Sequence, residues 1–200
     1  MESIDGVLGF WFGTPDPEGD VPDETFARYW RKDAAFDAEI RERFGALHAR
    51  AGRGELDAWA DSPRGRVALV IVLDQFTRNL NRNSPRAFDN DAKALALALD
   101  GLDKGEHLGL RPLQGYFLIM PTMHVEDLAM QERGVRLFDE LGSGITDAEL
   151  AKKFSAASDF ARRHRDIVAR FGRFPHRNAS LGRESTPEEV EFLKQPGSSF

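Results

Sequence analysis

The chain has 200 residues, no cysteine and a net charge of −6. This length suits one domain able to bury its own core. The missing cysteines exclude a disulfide framework, a zinc finger, iron–sulfur ligation and thiol catalysis, and the negative balance argues against nucleic acid or an anionic membrane as partner. The longest apolar run, Val67 to Leu73, is seven residues, far short of the roughly twenty that cross a bilayer. The opening Met1-Glu2-Ser3-Ile4-Asp5 lacks the basic start of a secretory signal. Composition therefore points to a cytoplasmic domain.

The punctuation is that of a helical protein. Phe10-Trp11-Phe12, Tyr29-Trp30 and Trp59 read as core or helix-staple aromatics, since basic residues do not interleave with them as in a base-stacking surface. A loop is expected over Gly13 to Val21, and Pro22 before Asp23 and Glu24 starts a helix with acids where its dipole favours them. Phe36, Ile40, Phe44 and Leu47 recur at helical spacing and define one buried face. Loops are expected over Arg50 to Gly54, Asp100 to Gly109 and Gly172 to Ser185. Ser62-Pro63, Ser84-Pro85 and Thr186-Pro187 each set a capping hydroxyl before a proline suited to the first helical position. The run Val67 to Leu73 predicts a central helix, apolar all round, because no partner strand is evident. Ala92 to Leu99 reads as helix on propensity, with Ser84-Pro85 as its start. Pro121 should break or kink the helix that carries Tyr116 to Met120. Val125, Leu128, Ala129, Val135, Leu137, Phe138 and Leu141 form another stripe. Thr146-Asp147-Ala148-Glu149 reads as a capping box. The helix after it carries Phe154, Ala157, Phe160, Ala161, Ile167, Val168 and Phe171. The expectation is one all-α domain of about nine helices over residues 1–194, with a frayed tail over 195–200.

Three constellations carry chemistry. In Asp74-Gln75-Phe76-Thr77-Arg78-Asn79, polar side chains follow the apolar run abruptly. On a helix Asp74 meets Arg78, and Gln75 meets Asn79. Asp74, Gln75 and Arg78 form either a structural network or, with Asn79, the floor of a polar pocket. The stretch 162–183 holds seven arginines against one acid, giving it +6 and leaving −12 on the rest of a chain whose net charge is −6. Arginine without lysine favours fork-like recognition of carboxylate or phosphate. Within it, Arg173, His176, Arg177, Asn178 and Arg183 are candidate ligand-binding residues. The third constellation lies just after Pro121, where His124 should sit at a helix start, kept neutral by the dipole, with Glu126 near enough to orient it as a general base. No His-x-x-x-His or Glu-x-x-His spacing offers a metal site, which would have to gather His124, Glu126, His164 and His176 from distant segments. No metal and no cofactor is expected. A nucleophile elbow, a phosphate-binding loop and a dinucleotide fingerprint are absent from the sequence.

Phe10-Trp11-Phe12-Gly13, Leu73 to Asn79, Pro121 with His124-Val125-Glu126, and Gly172 to Asn178 through Leu181-Gly182-Arg183 occur in this order. With them the chain resembles, over residues 4–194, an uncharacterised bacterial family, a domain of unknown function. Val125 stands where that family usually carries serine. The resemblance implies a TPR-like array of antiparallel helices and a bacterial setting, and it implies no reaction. Two functions are open. One is a binding protein whose Arg78, Asn79, Arg173, His176 and Arg177 line a pocket for a small anionic or phosphorylated ligand or an acidic peptide. The other is an enzyme, a hydrolase for example, using His124 and Glu126 as an acid–base or metal-binding pair. A third possibility is that the polar motifs serve the fold alone.

Overall fold

The computed structural model describes residues 3–14 and 21–199. Most of the loop expected over Gly13 to Val21 lies outside the described residues, as do Met1, Glu2 and the last residue of the tail. The described residues are helical and contain no strand. In chain order the helices are α1 (Ile4–Phe12), α2 (Asp23–Arg28), α3 (Ala34–Gly52), α4 (Pro63–Val70), α5 (Thr77–Leu80), α6 (Asp91–Asp103), α7 (Glu106–Gly109), α8 (Pro112–Ile119), α9 (Pro121–His124), α10 (Leu128–Ser143), α11 (Ala148–Phe171) and α12 (Pro187–Leu193). Three of them, α5, α7 and α9, are single turns of four residues, which leaves nine longer helices.

The apolar run forms the axis of the molecule. Helix α4 passes through a wide π turn, Ile71–Phe76, into α5 without interruption. Every side chain from Val67 to Leu73 is buried, because α1, α3, α6 and α8 pack around this axis. Each Val, Leu or Ile buried in this way contributes about 1.5–3 kcal/mol. The stripe Phe36, Ile40, Phe44 and Leu47 of α3 is buried as its spacing requires. Trp11 stacks on Tyr29 with ring centroids 4.5 Å apart, and the Tyr29 hydroxyl donates to the Trp11 carbonyl (2.7 Å). Trp30 is the exception among the N-terminal aromatics: it is 45% exposed and touches Phe26 and Tyr116 by its edge.

Helices α10 and α11, joined by four residues, make the most extensive helix pairing in the fold and pack onto α8 and α9. Gly134 of α10 lets that helix close onto Thr122 of α9, leaving no room for a Cβ. One core runs from Val7 to Ala161, and a small second cluster of Ile167, Val168 and Phe174 holds the C-terminal segment. In the tail, Ser198 is buried and its hydroxyl donates to the Leu193 carbonyl (3.1 Å).

The caps test the local reading. Ser62 accepts from Gly65 N (3.2 Å), and Thr186 and Glu189 form a reciprocal capping box. Ser84-Pro85 does not start α6; it opens a short 3-10 turn, Pro85–Phe88, and α6 begins after Asn90. Asp147, not Thr146, caps α11, since its carboxylate reaches Leu150 N (2.8 Å). Pro121 occupies the first position of α9, where its missing N–H costs nothing, so the chain turns there but stays helical. The expected loops over Arg50 to Gly54 and Asp100 to Gly109 are largely helical as well. The α10 stripe starts one turn later than expected, with Leu128 and Ala129 exposed and burial beginning at Gln131.

Candidate functional site

The site grows out of the π turn. A π turn inserts one residue into the helical ladder, rotates the next turn of helix and leaves carbonyls to be satisfied by other donors. Here the Thr77 hydroxyl donates to Leu73 O (2.6 Å) and Arg78 Nη1 donates to Asp74 O (3.0 Å). The rotation points Asp74 inward, where it is 1% exposed. Its Oδ1 accepts from Arg78 Nη1 (2.9 Å) and from His124 Nδ1 (2.7 Å), and its Oδ2 accepts from Gln75 Nε2 (2.6 Å). Burial alone would raise the Asp74 carboxyl, but Arg78 and His124 outweigh it and hold the acid well below the usual carboxylate range.

His124 ends α9 and does not begin a helix. Gln131 fixes the backbone on both sides of it by donating to Met123 O and Val125 O (2.7 Å each). The imidazole is pushed below its ordinary value by burial and by Arg78, against the pull of Asp74, so it is neutral for that reason and not because of a helix start. An ionised carboxylate only accepts, so the proton of neutral His124 resides on Nδ1 and the lone pair on Nε2.

Asp91, in the first turn of α6, extends the network. Both its oxygens accept from Arg78 (2.9 and 3.0 Å), and Nη1 of Arg177 stands 3.7 Å away. Arg177 ends the 3-10 turn Pro175–Arg177, and its guanidinium lies over the rings of Phe88 (4.5 Å) and Phe174 (4.6 Å). It is 8% exposed, and no described residue accepts from its buried Nε. Burial and the Arg78 charge push its pKa down to about 10. Two further histidines border it. His164 Nδ1 binds the Phe160 carbonyl (2.9 Å), and burial pushes this imidazole down to about 3. His176 lies against Phe174, pushed down to about 4 by burial and then by Arg177.

The structure thus joins Asp74, Gln75, Arg78, His124 and Arg177 in one network, with His176 beside it. The other candidates are used elsewhere. Glu126 does not orient His124: it accepts from Phe174 N (2.8 Å) and from both terminal nitrogens of Arg183 (2.6 and 2.9 Å). Arg183 also donates through Nε to Asn178 Oδ1 (3.0 Å). Arg173 binds Glu189 through Nε and Nη2 (2.6 and 2.8 Å), and Asn178 Nδ2 donates to the same carboxylate (3.2 Å). Asn79 faces away and donates to Asp37 Oδ1 of α3 (2.8 Å), so it pairs with neither Gln75 nor the pocket. Asp91 and Phe88 were invisible in the sequence, where an acid at a helix start and an aromatic in a loop are commonplace. Although His124, His164 and His176 are neighbours, among the described residues no group of three or more His, Asp or Glu is arranged to hold a metal ion. Two clefts of about 550 and 800 Å³ lie elsewhere, one beside Arg66 and Lys93 and the other between Ile4, Trp59 and Leu110.

Fold and site together define an all-α protein built around a buried axial helix, from whose π turn an aspartate holds a histidine. The chain belongs to the bacterial family of proteins of unknown function DUF924, whose model matches residues 7–197. It is similar to the solved structure of a protein of unknown function from Agrobacterium tumefaciens, at 36% identity and a TM-score of 0.73, covering 84% of this chain and 89% of that one. No curated protein matches the chain. Among the described residues no helix is long and apolar enough to cross a membrane.

Proposed function

We propose that this protein is a cytosolic acid–base enzyme, a hydrolase for example, acting on a small anionic molecule. His124 is its base, Asp74 orients that base, and Arg177 binds the negative charge. The observation that carries this is the 2.7 Å bond from His124 Nδ1 to Asp74, which leaves Nε2 as the proton-accepting atom. A carboxylate that is itself held by Arg78 and Gln75 keeps the imidazole in one tautomer and stabilises the imidazolium formed on proton uptake. The wider arginine pocket of a binding scaffold has less support, because Arg78, Arg173 and Arg183 already meet carboxylates of the chain.

Two measurements test the proposal. Nitrogen-15 NMR of the imidazoles should show His124 protonated on Nδ1 at neutral pH; a proton on Nε2 overturns the assignment. Turnover found in a panel of small carboxylic and phosphoric esters should vanish in His124→Gln and fall about 10²–10⁴-fold in Asp74→Asn. Turnover that survives His124→Gln refutes the role of the base.

A further inference from the structure

Four arginines gather at this end of the molecule, and three have their forks closed by the chain itself. Arg173 meets Glu189 side-on, through Nε and Nη2. Arg183 meets Glu126 end-on through both terminal nitrogens and gives Nε to Asn178. Arg78 meets Asp91 end-on through both terminal nitrogens. Arg177 differs. Its Nε is buried and no described residue accepts from it, and its nearest carboxylate oxygen, on Asp91, stands 3.7 Å from Nη1, beyond hydrogen-bond distance. A guanidinium this deeply placed, in a residue 8% exposed, forfeits the hydrogen bonds that water would have made.

We infer that the Nε–Nη2 edge of Arg177 is the receptor for a planar carboxylate on the substrate of the acid–base site. This rests on the function proposed above. The ring centroids of Phe88 and Phe174 lie 4.5 and 4.6 Å from the guanidinium carbon, so aromatic rings take the faces of Arg177 and its uncommitted donors lie in its own plane. A carboxylate meets that edge with two parallel N–H···O bonds. A phosphate would turn its out-of-plane oxygens toward the ring walls. The chain Arg177, Asp91, Arg78, Asp74, His124 places this receptor in the same network as the base.

The test is a titration with acetate, benzoate and inorganic phosphate at constant ionic strength, chloride making up the balance, followed by the Arg177 Nε–H resonance and by thermal shift. Acetate and benzoate should move the Nε–H signal saturably and raise the melting temperature, with phosphate at least tenfold weaker. Arg177→Lys keeps the charge but lacks the fork, and should weaken benzoate binding at least tenfold. An unmoved Nε–H signal, phosphate binding as tight as acetate, or undiminished binding in Arg177→Lys each overturns the inference. The wild-type NMR titration decides the matter even if Arg177→Lys fails to fold. The same spectra report the His124 tautomer, so a failed acid–base reading is told apart: Nδ1 is then unprotonated while the carboxylate titration still succeeds.

Discussion

Replacing Gly134 by alanine opposes two effects of known size. In an open helix the change stabilises by about 1 kcal/mol, since alanine is the better helix former. Gly134 is not in the open. A Cβ there would lie well inside contact distance of Thr122 Oγ1 and 3.2 Å from Thr122 Cβ, and Thr122 is fully buried with its hydroxyl committed to the Ile119 carbonyl (2.8 Å). The two helices must part by about 1 Å, or Thr122 must rotate and lose its bond, at a cost of roughly 2–4 kcal/mol when overpacking and the hydrogen bond are combined. The net expectation is a loss of about 1–3 kcal/mol, which lowers the melting temperature by about 2–12 °C in a domain of this size. Thr122→Ala alone should cost about 1 kcal/mol. Combined with Gly134→Ala it should recover at least about 1 kcal/mol of the alanine's cost, a coupling read from a double-mutant cycle by urea denaturation. If Gly134→Ala melts at or above wild type, or the two changes simply add, the close approach of α10 to α9 is not what holds glycine at this position.

Stability should fall with acid in a way traceable to His164. Its folded value of about 3 lies below the ordinary 6.5, so its contribution is complete above about pH 6.5 and declines by about 1.4 kcal/mol per unit as pH drops toward 3; urea midpoints at pH 7, 6 and 5 should converge toward a flatter dependence in His164→Phe. Glu189 accepts from Arg173, Thr186 N and Asn178 while 2% exposed, and Glu189→Gln should cost about 1.5–3 kcal/mol by chemical denaturation; a cost under about 0.5 would show the clasp to be idle. Arg66, 3% exposed, binds Glu106 (2.8 Å) and the carbonyls of Ala60 and Leu97. Arg66→Met should cost about 3–5 kcal/mol, and Arg66→Met with Glu106→Leu should cost less, as expected where an uncompensated buried charge dominates.

Legible and illegible features of the chain separate by sequence distance. The axial helix, the stripe of α3 and the cap at Thr186 were legible because each is decided by neighbours within a few residues. The i,i+4 meeting of Asp74 with Arg78 was legible for the same reason. The partner of His124 was not. Proximity favoured Glu126, two residues on, yet after α9 the chain is extended at Val125 and carries Glu126 toward Arg183. The true partner lies fifty residues earlier. Its one visible signal was an acid placed directly after seven apolar residues. The arginines of 162–183 stand out in the sequence as a fork-rich set. Which of them spend their forks on the fold depended on Glu189, Glu126 and Asp91, three acids that look like ordinary helix-start residues in the sequence.

The small cluster of Ile167, Val168 and Phe174 stands apart from the main core. A segment held by so few apolar contacts opens at a free energy well below that of global unfolding. The base and its aspartate belong to the durable body of the molecule, whereas the segment that carries Arg177 is tied to it by the Glu126 clasp on Phe174 N and Arg183 and by one phenylalanine. Amide exchange should therefore be fast over residues 173–185 and slow along the axial helix. The two halves of the site would then meet and part as separate cooperative units, and ligand entry would keep the clock of the weaker one.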